Sequence, residues 1–365
     1  MKKQLLILLI VLPSLSQAQE QVRKYYDDQK TQIREIYTQV NGVPEGNYRL
    51  FYEDGSLAIA GQLAGGKKNG LFVDFYPNTT DTLRKMTYVD NRREGPSVSF
   101  HPNGTISQTL TFRNDKIEGK VLTYYANSGL RQEVMFSDNK PHGWSLEYDS
   151  LGVLLQKAHF QNGYLDGSKE EYYPDGTLYT KIQYKRGLVF GEQVIYRTDG
   201  RLMAVNNYKE GYQHGDVRMY HENGNISKTG QYKHGKPEGK FTGYHENGAV
   251  SEISQYKDGK AVGTFTSYFA SGKIREEVVH DRNGLIVRQL SYFESGQKEK
   301  ETLFKNGRED GKSIAYFENG QIKEIFPYRN GKPHGLQQVY NEEGKLVLER
   351  TFSDGKPVPT VLTEK

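Results

Sequence analysis

Residues Tyr220–Gly239 read YHENGNISKTGQYKHGKPEG, and Tyr244–Gly263, 24 positions on, read YHENGAVSEISQYKDGKAVG. A line written nearly twice marks an architecture in which each copy packs on its neighbours. The period extends over most of the chain. Glycines at positions 46, 70, 95, 119, 143, 167, 191, 215, 239, 263, 311 and 335, with Val287 in the one empty slot, follow each other at 24 residues with a single step of 25, which makes thirteen copies.

Three columns recur within the copies. Five places after the starting glycine the residue is always aromatic, from Phe51, Phe75 and Phe100 through Tyr124, Tyr148, Tyr172, Tyr196, Tyr220, Tyr244, Tyr268, Tyr292 and Tyr316 to Tyr340. A second aromatic column includes Tyr88, Phe112, Phe136, Phe160, Tyr184, Tyr208, Tyr232, Tyr256, Phe304, Tyr328 and Phe352, with Leu63 and His280 as exceptions. The third is aliphatic, as at Leu178, Leu202, Ile226, Val250 and Ile274.

Two turn signals separate the columns. Glu246-Asn247-Gly248 predicts a three-residue hairpin loop with Gly248 left-handed, which sets Tyr244 opposite Val250; six residues further, Tyr256 should share their face. At the other turn, Asp258-Gly259-Lys260, the glycine column is filled elsewhere by Asn91, Asp115, Asn139 and Asn283, the residue types that best tolerate positive φ. Two strands and two tight turns fill 24 residues and leave no room for a crossover helix, so successive strands pair antiparallel. A lone hairpin cannot bury its aromatics, and repetition supplies the neighbours.

The fold expected is therefore all-β: an elongated single-layer antiparallel meander of about thirteen hairpins, extending on the order of 120 Å as a narrow twisted ribbon. Residues 42–358 form the array, and 359–365 a C-terminal tail. In the capping segment 19–41, the spacing Val22, Tyr26, Gln29, Ile33 predicts a short N-terminal helix. Around residues 280–298 four column positions depart together, at His280, Asn283, Val287 and Lys298, which predicts a weak junction acting as a hinge.

Lys2 and Lys3, the apolar run Leu5–Leu12 and the small-residue site Ser16-Gln17-Ala18 form the three-part pattern of a secretory signal peptide over residues 1–18, cleaved after Ala18. The mature chain is expected to be exported, to the periplasm or beyond, with no transmembrane segment. The sequence has no cysteine, which removes disulfides and a lipidated N-terminal cysteine. Only 35% of the 365 residues are hydrophobic, so a large apolar core is not expected, while 12% aromatic residues at fixed spacing argue for order. Loss of Lys2 and Lys3 lowers the formal charge from +4 to +2, too small to indicate nucleic-acid binding.

The pattern Y-x-E-N-G-x-[IL] followed by Y-x-x-G-K-x-x-G resembles the MORN-repeat variant family, relatives of the membrane occupation and recognition nexus repeats, across about residues 42–358. The resemblance implies single-layer antiparallel sheets serving as binding or scaffolding modules; some bacterial members are described as antitoxin components.

Apparent chemical sites dissolve into the columns. Gly307–Ser313 resembles a phosphate-binding loop but is one residue short, and both its glycines belong to the repeat. His142, His214 and His334 share one column position where other copies carry Glu94, Glu118, Asp166 or Glu238. Copies about 10 Å apart cannot share a metal needing ligands at about 2 Å, and a solvated turn residue is expected. A basic column, Lys67, Arg92, Lys116, Lys140, Lys236, Lys260, Arg308, Lys332 and Lys356, follows the turn glycine and is offset by acids two residues on, such as Glu118 and Glu238. No catalytic, metal or cofactor site is expected, and no ligand-binding residue is assigned. The function expected is a non-enzymatic scaffold that binds another protein. The alternatives are binding of anionic lipid or glycan at the cell envelope, or an antitoxin- or immunity-like role.

Overall fold

The computed structural model describes residues 19–359, so the signal segment 1–18 and most of the C-terminal tail lie outside it. The described residues form 34 strands and no helix. The chain divides into two compact units between Tyr164 and Leu165. In each unit the strands form an antiparallel meander, and where a short piece such as Lys116–Ile117 precedes a strand, both pair with the strand before them.

The hairpin of Lys236–Tyr244 and Val250–Lys257 shows how the repeat folds. Its first turn closes as expected: Tyr244 lies opposite Val250, His245 N–H donates to Ala249 O at 2.8 Å, and Gly248 is left-handed at φ 84°. The second turn is a two-residue loop with both central residues left-handed, Asp258 at 51° and Gly259 at 84°, the primed geometry that matches strand twist. Asn91, Asp115 and Asn139 hold φ between 64° and 70° at the glycine position, as their side chains allow.

The expected sharing of one face by Tyr244, Val250 and Tyr256 is corrected. A one-residue bulge sits where Gly243 pairs with Glu252 and Tyr244 with Val250, leaving Ser251 extra. No bulge of their own strand lies between Phe241 and Tyr244, which are three apart and so point to opposite faces. Tyr256 lies with Phe241, ring to ring at 5.2 Å, and Tyr232 flanks Phe241 from the preceding strand at 5.5 Å. Each face thus carries its own aromatic column. The tightest burial follows a column two places after the starting glycine, with Phe72, Ser97, Val121, Ser145, Val217, Phe241 and Ser313, and the residues paired to it, such as Met86, Ala158, Ile182 and Ser254. Phe241 faces Ser254, while Phe72 faces Met86 and Ser145 faces Ala158.

The N-terminal helix is also corrected. Gln19–Tyr25 and Ile33–Val40 form a further hairpin, with Tyr25 opposite Ile33 as Tyr244 is opposite Val250. The Tyr26 hydroxyl donates to Phe51 O at 2.7 Å, tying this hairpin to the next copy. Seven residues rather than five separate the opposed pair here, so the hairpin escapes a 24-residue count. Its helical spacing loses to the ladder that the neighbouring strand offers.

Three of the departures at residues 280–298, His280, Asn283 and Val287, belong to one changed turn, while Lys298 lies opposite Tyr292 in an ordinary hairpin. Asp281 N–H donates to Leu285 O at 2.8 Å, and the left-handed residue is Gly284 at φ 87°, so Asn283 does not occupy the turn-glycine conformation. Four consecutive pairs run from Glu276↔Ser291 to Val279↔Arg288, and a one-residue bulge before His280↔Ile286 leaves Val287 extra, in the place Ser251 has elsewhere and without a positive φ. The His280 ring packs on Phe265 at 4.5 Å, in the place of the second aromatic. Hydrogen exchange should therefore show protection over 276–280 and 286–291 equal to that of the flanking hairpins; a local loss of protection would restore the hinge.

Candidate binding surface

Most turn side chains are used to join copies. The residue after the first aromatic reaches the next copy and donates to the carbonyl of its first aromatic: Tyr52 to Phe75 O, Tyr76 to Phe100 O, Tyr125 to Tyr148 O and Tyr173 to Tyr196 O, at 2.7–2.9 Å. His101, His221 and His245 make the same contact through Nε2 at 2.8–3.0 Å, and Arg197 through its guanidinium at 2.9 Å. The turn asparagines add a second rung, as where Asn223 Nδ2 donates to Glu246 O at 2.9 Å. The signal for this column was present as the polar residue following most of the first aromatics.

The acid column is likewise structural and not simply solvated. Glu94, Glu118 and Glu238 accept the backbone N–H of Asn114, Asp138 and Asp258, the first left-handed residue of the next turn, at 2.7–3.0 Å. These N–H groups point out of the ladder, and a carboxylate satisfies them well. His334 stands in for the acid, its Nδ1 3.5 Å from Asp354 N. The His214 ring lies against His234 at 5.2 Å, and His142 sits in the strand Lys140–Tyr148. Among the described residues no three His, Asp or Glu side chains are grouped as metal ligands.

Two members of the basic column meet acids other than those expected. Lys67 pairs with Asp90 at 3.7 Å and Lys116 with Asp138, both acids belonging to the following turn. Lys116 beside Asp138 holds that carboxyl below its usual range. Backbone hydrogen bonding from Arg93, then its side chain, does the same for Asp115. Gly307–Ser313 is a turn leading into the strand Arg308–Tyr316, where Arg308 and Glu309 pair with Lys305 and Phe304, so its backbone forms no phosphate cradle.

The columns break where Leu188, Phe190 and Tyr212 occur. Leu188 and Tyr212 hold the basic position and Phe190 the acid position of two consecutive copies, and they are 53%, 47% and 60% exposed. Leu188 packs against the turn at Gly211 and Tyr212 against that at Gly235, which spaces them along one edge. Lys185 Nζ lies 5.8 Å from the Phe190 ring. The gap in the basic column between Lys140 and Lys236 was the signal in the sequence for this patch.

Eight segments match the MORN repeat variant: 93–114, 165–186, 213–234, 237–258, 261–281, 287–306, 309–330 and 333–354. The chain belongs to the MORN repeat variant family. Each matched segment takes in the first turn of a MORN hairpin, as 237–258 does with His245–Gly248, and stops at the second turn. No curated protein matches this MORN chain in sequence. Among solved structures it is similar to a chain in the crystal structure of TcdB2-TccC3, at 11% identity over 94% of this chain and 23% of that one, with a TM-score of 0.17. A chain of the Photorhabdus luminescens Tc holotoxin pore gives 12% identity over 92% and 19%, with a TM-score of 0.18. The MORN chain spans less than a quarter of the length of either, and superposition at these scores does not establish a common fold.

Proposed function

We propose that this MORN repeat variant protein is a non-enzymatic scaffold that is exported after cleavage near Ala18 and binds a protein partner along the second-turn edge at Leu188, Phe190 and Tyr212. The observation that carries this reading is the run of exposed apolar side chains in two consecutive copies at positions that in most copies carry charge. Aromatic and aliphatic anchors free of charge are what protein interfaces concentrate at their centres. A lipid- or acidic-glycan-binding role for the basic column is the weaker reading, because Lys67 and Lys116 already meet acids of the next turn. Among the described residues no helix is long and apolar enough to cross a membrane.

A photo-crosslinking residue placed at Tyr212 in the producing cell should capture a discrete protein, and the same residue at Lys260 should not. Equal capture at both positions, or capture of lipid alone at Tyr212, would overturn the assignment. N-terminal sequencing of the same material should begin at Gln19; Met1 retained on cytoplasmic protein would sink the export step.

A further inference from the structure

The joint between copies changes character at three successive positions. Eight of the nine earlier copies place Tyr, His or Arg after the first aromatic, Asp149 being the exception, and the next three copies place Phe269, Phe293 and Phe317. A phenyl ring donates no hydrogen bond, so the carbonyls of Tyr292, Tyr316 and Tyr340 lose the contact that their counterparts at Phe75, Tyr196 and Tyr244 receive. Among the described residues no other side chain donates to them. A row of acceptors is thereby left beside a row of half-buried aromatic rings. Phe269 and Phe293 line one groove of about 540 Å³ with Arg275, Glu276, Tyr292 and Glu299. Lys323 Nζ sits 5.7 Å from the Phe317 ring, the third of the series.

The chemistry of this row selects its ligand. A carbonyl at an emptied joint needs a donor, and a phenyl face needs a flat, weakly polar surface with C–H bonds. A pyranose offers both at once: hydroxyl donors at its rim and an apolar face that stacks on an aromatic ring. The rings recur once per hairpin, about 10 Å apart at two strand spacings, and two β-linked pyranose units in an extended chain cover about the same length. The groove lining adds carboxylates at Glu276, Glu294 and Glu299 against the single guanidinium of Arg275, a balance that disfavours phosphate headgroups and acidic sugars.

We propose that Phe269, Phe293 and Phe317, with the open carbonyls beside them, form a binding row for an extended, non-anionic β-linked glycan. The row is separate from the Leu188–Tyr212 edge and does not depend on the protein-binding role given to that edge.

The probes are soluble cellohexaose and chitohexaose, titrated calorimetrically against the full chain, with phosphatidylglycerol vesicles as a third arm. At least one hexaose should bind saturably and the vesicles should not. Phe293→Ala should weaken sugar binding about tenfold, as expected for loss of one stacked ring. The triple replacement Phe269→Tyr, Phe293→Tyr and Phe317→Tyr keeps every ring but supplies the hydroxyl that other copies use. It should raise the melting temperature by rebuilding the joints and still weaken sugar binding severalfold, because the acceptors are then filled. Leu188→Asp should leave sugar binding unchanged. Absence of binding to both hexaoses, binding to vesicles instead, or undiminished sugar affinity in the triple variant would each overturn the proposal, and the triple variant remains informative because tyrosine is native at this position in Tyr52, Tyr76 and Tyr125.

Discussion

Replacing Phe241 by alanine is expected to destabilise the protein by about 3–5 kcal/mol, the cost of deleting a buried aromatic and leaving a cavity. Phe241 is 3% exposed, flanked by the Tyr232 and Tyr256 rings, and it fills the space above Gly230. An added Cβ at Gly230 would stand 2.2 Å from the Phe241 ring, so Gly230→Ala should itself cost about 1–3 kcal/mol by overpacking. The two changes act on one volume. The double variant Gly230→Ala with Phe241→Ala should therefore lose less than the sum of the singles, a coupling that denaturant titration of all four proteins measures. Tyr244→Ala, on the opposite face and only half-buried, should cost less than Phe241→Ala. Equal losses at the two positions would contradict the assignment of faces.

The second-turn glycine gives the next largest effect. Gly259 holds φ 84°, and a Cβ there would meet the Lys236 stem of the preceding copy at 3.4 Å. Gly259→Val should cost about 2–3 kcal/mol, since a β-branched residue is strained in the left-handed region. Gly259→Asn should cost less than about 1 kcal/mol, because asparagine tolerates that region and already occupies it at Asn91 and Asn139, at φ 70° and 64°. Thermal melts of the pair decide the point: similar losses would mean that space above Lys236, rather than backbone conformation, selects glycine.

These expectations show where reading residues in order succeeds. Period, hairpin topology and both turns were legible because each depends on neighbours in the chain: Gly248 and Gly259 are required by local backbone geometry, and the opposition of Tyr244 and Val250 follows from loop length. The candidate surface was legible only by omission, as the missing charges at Leu188, Phe190 and Tyr212 in columns that are mostly charged. The role of the acid column was not legible. Glu238 looks solvated until the next copy brings Asp258 N–H to it at 2.8 Å.

The N-terminal segment and the faces mark the same boundary. By itself the sequence determined that the chain is a string of antiparallel hairpins with fixed turns, because turn chemistry and strand alternation act over a few residues. Only the tertiary structure decided that Gln19–Tyr25 is a strand, that Ser251 is bulged out so that Tyr244 and Tyr256 take opposite faces, and that Asn283 yields its left-handed place to Gly284. Each of these is set by a partner strand. A bulge adds a residue without changing composition, and a ladder overrides helical spacing, so neither is visible until the neighbouring strand is in place.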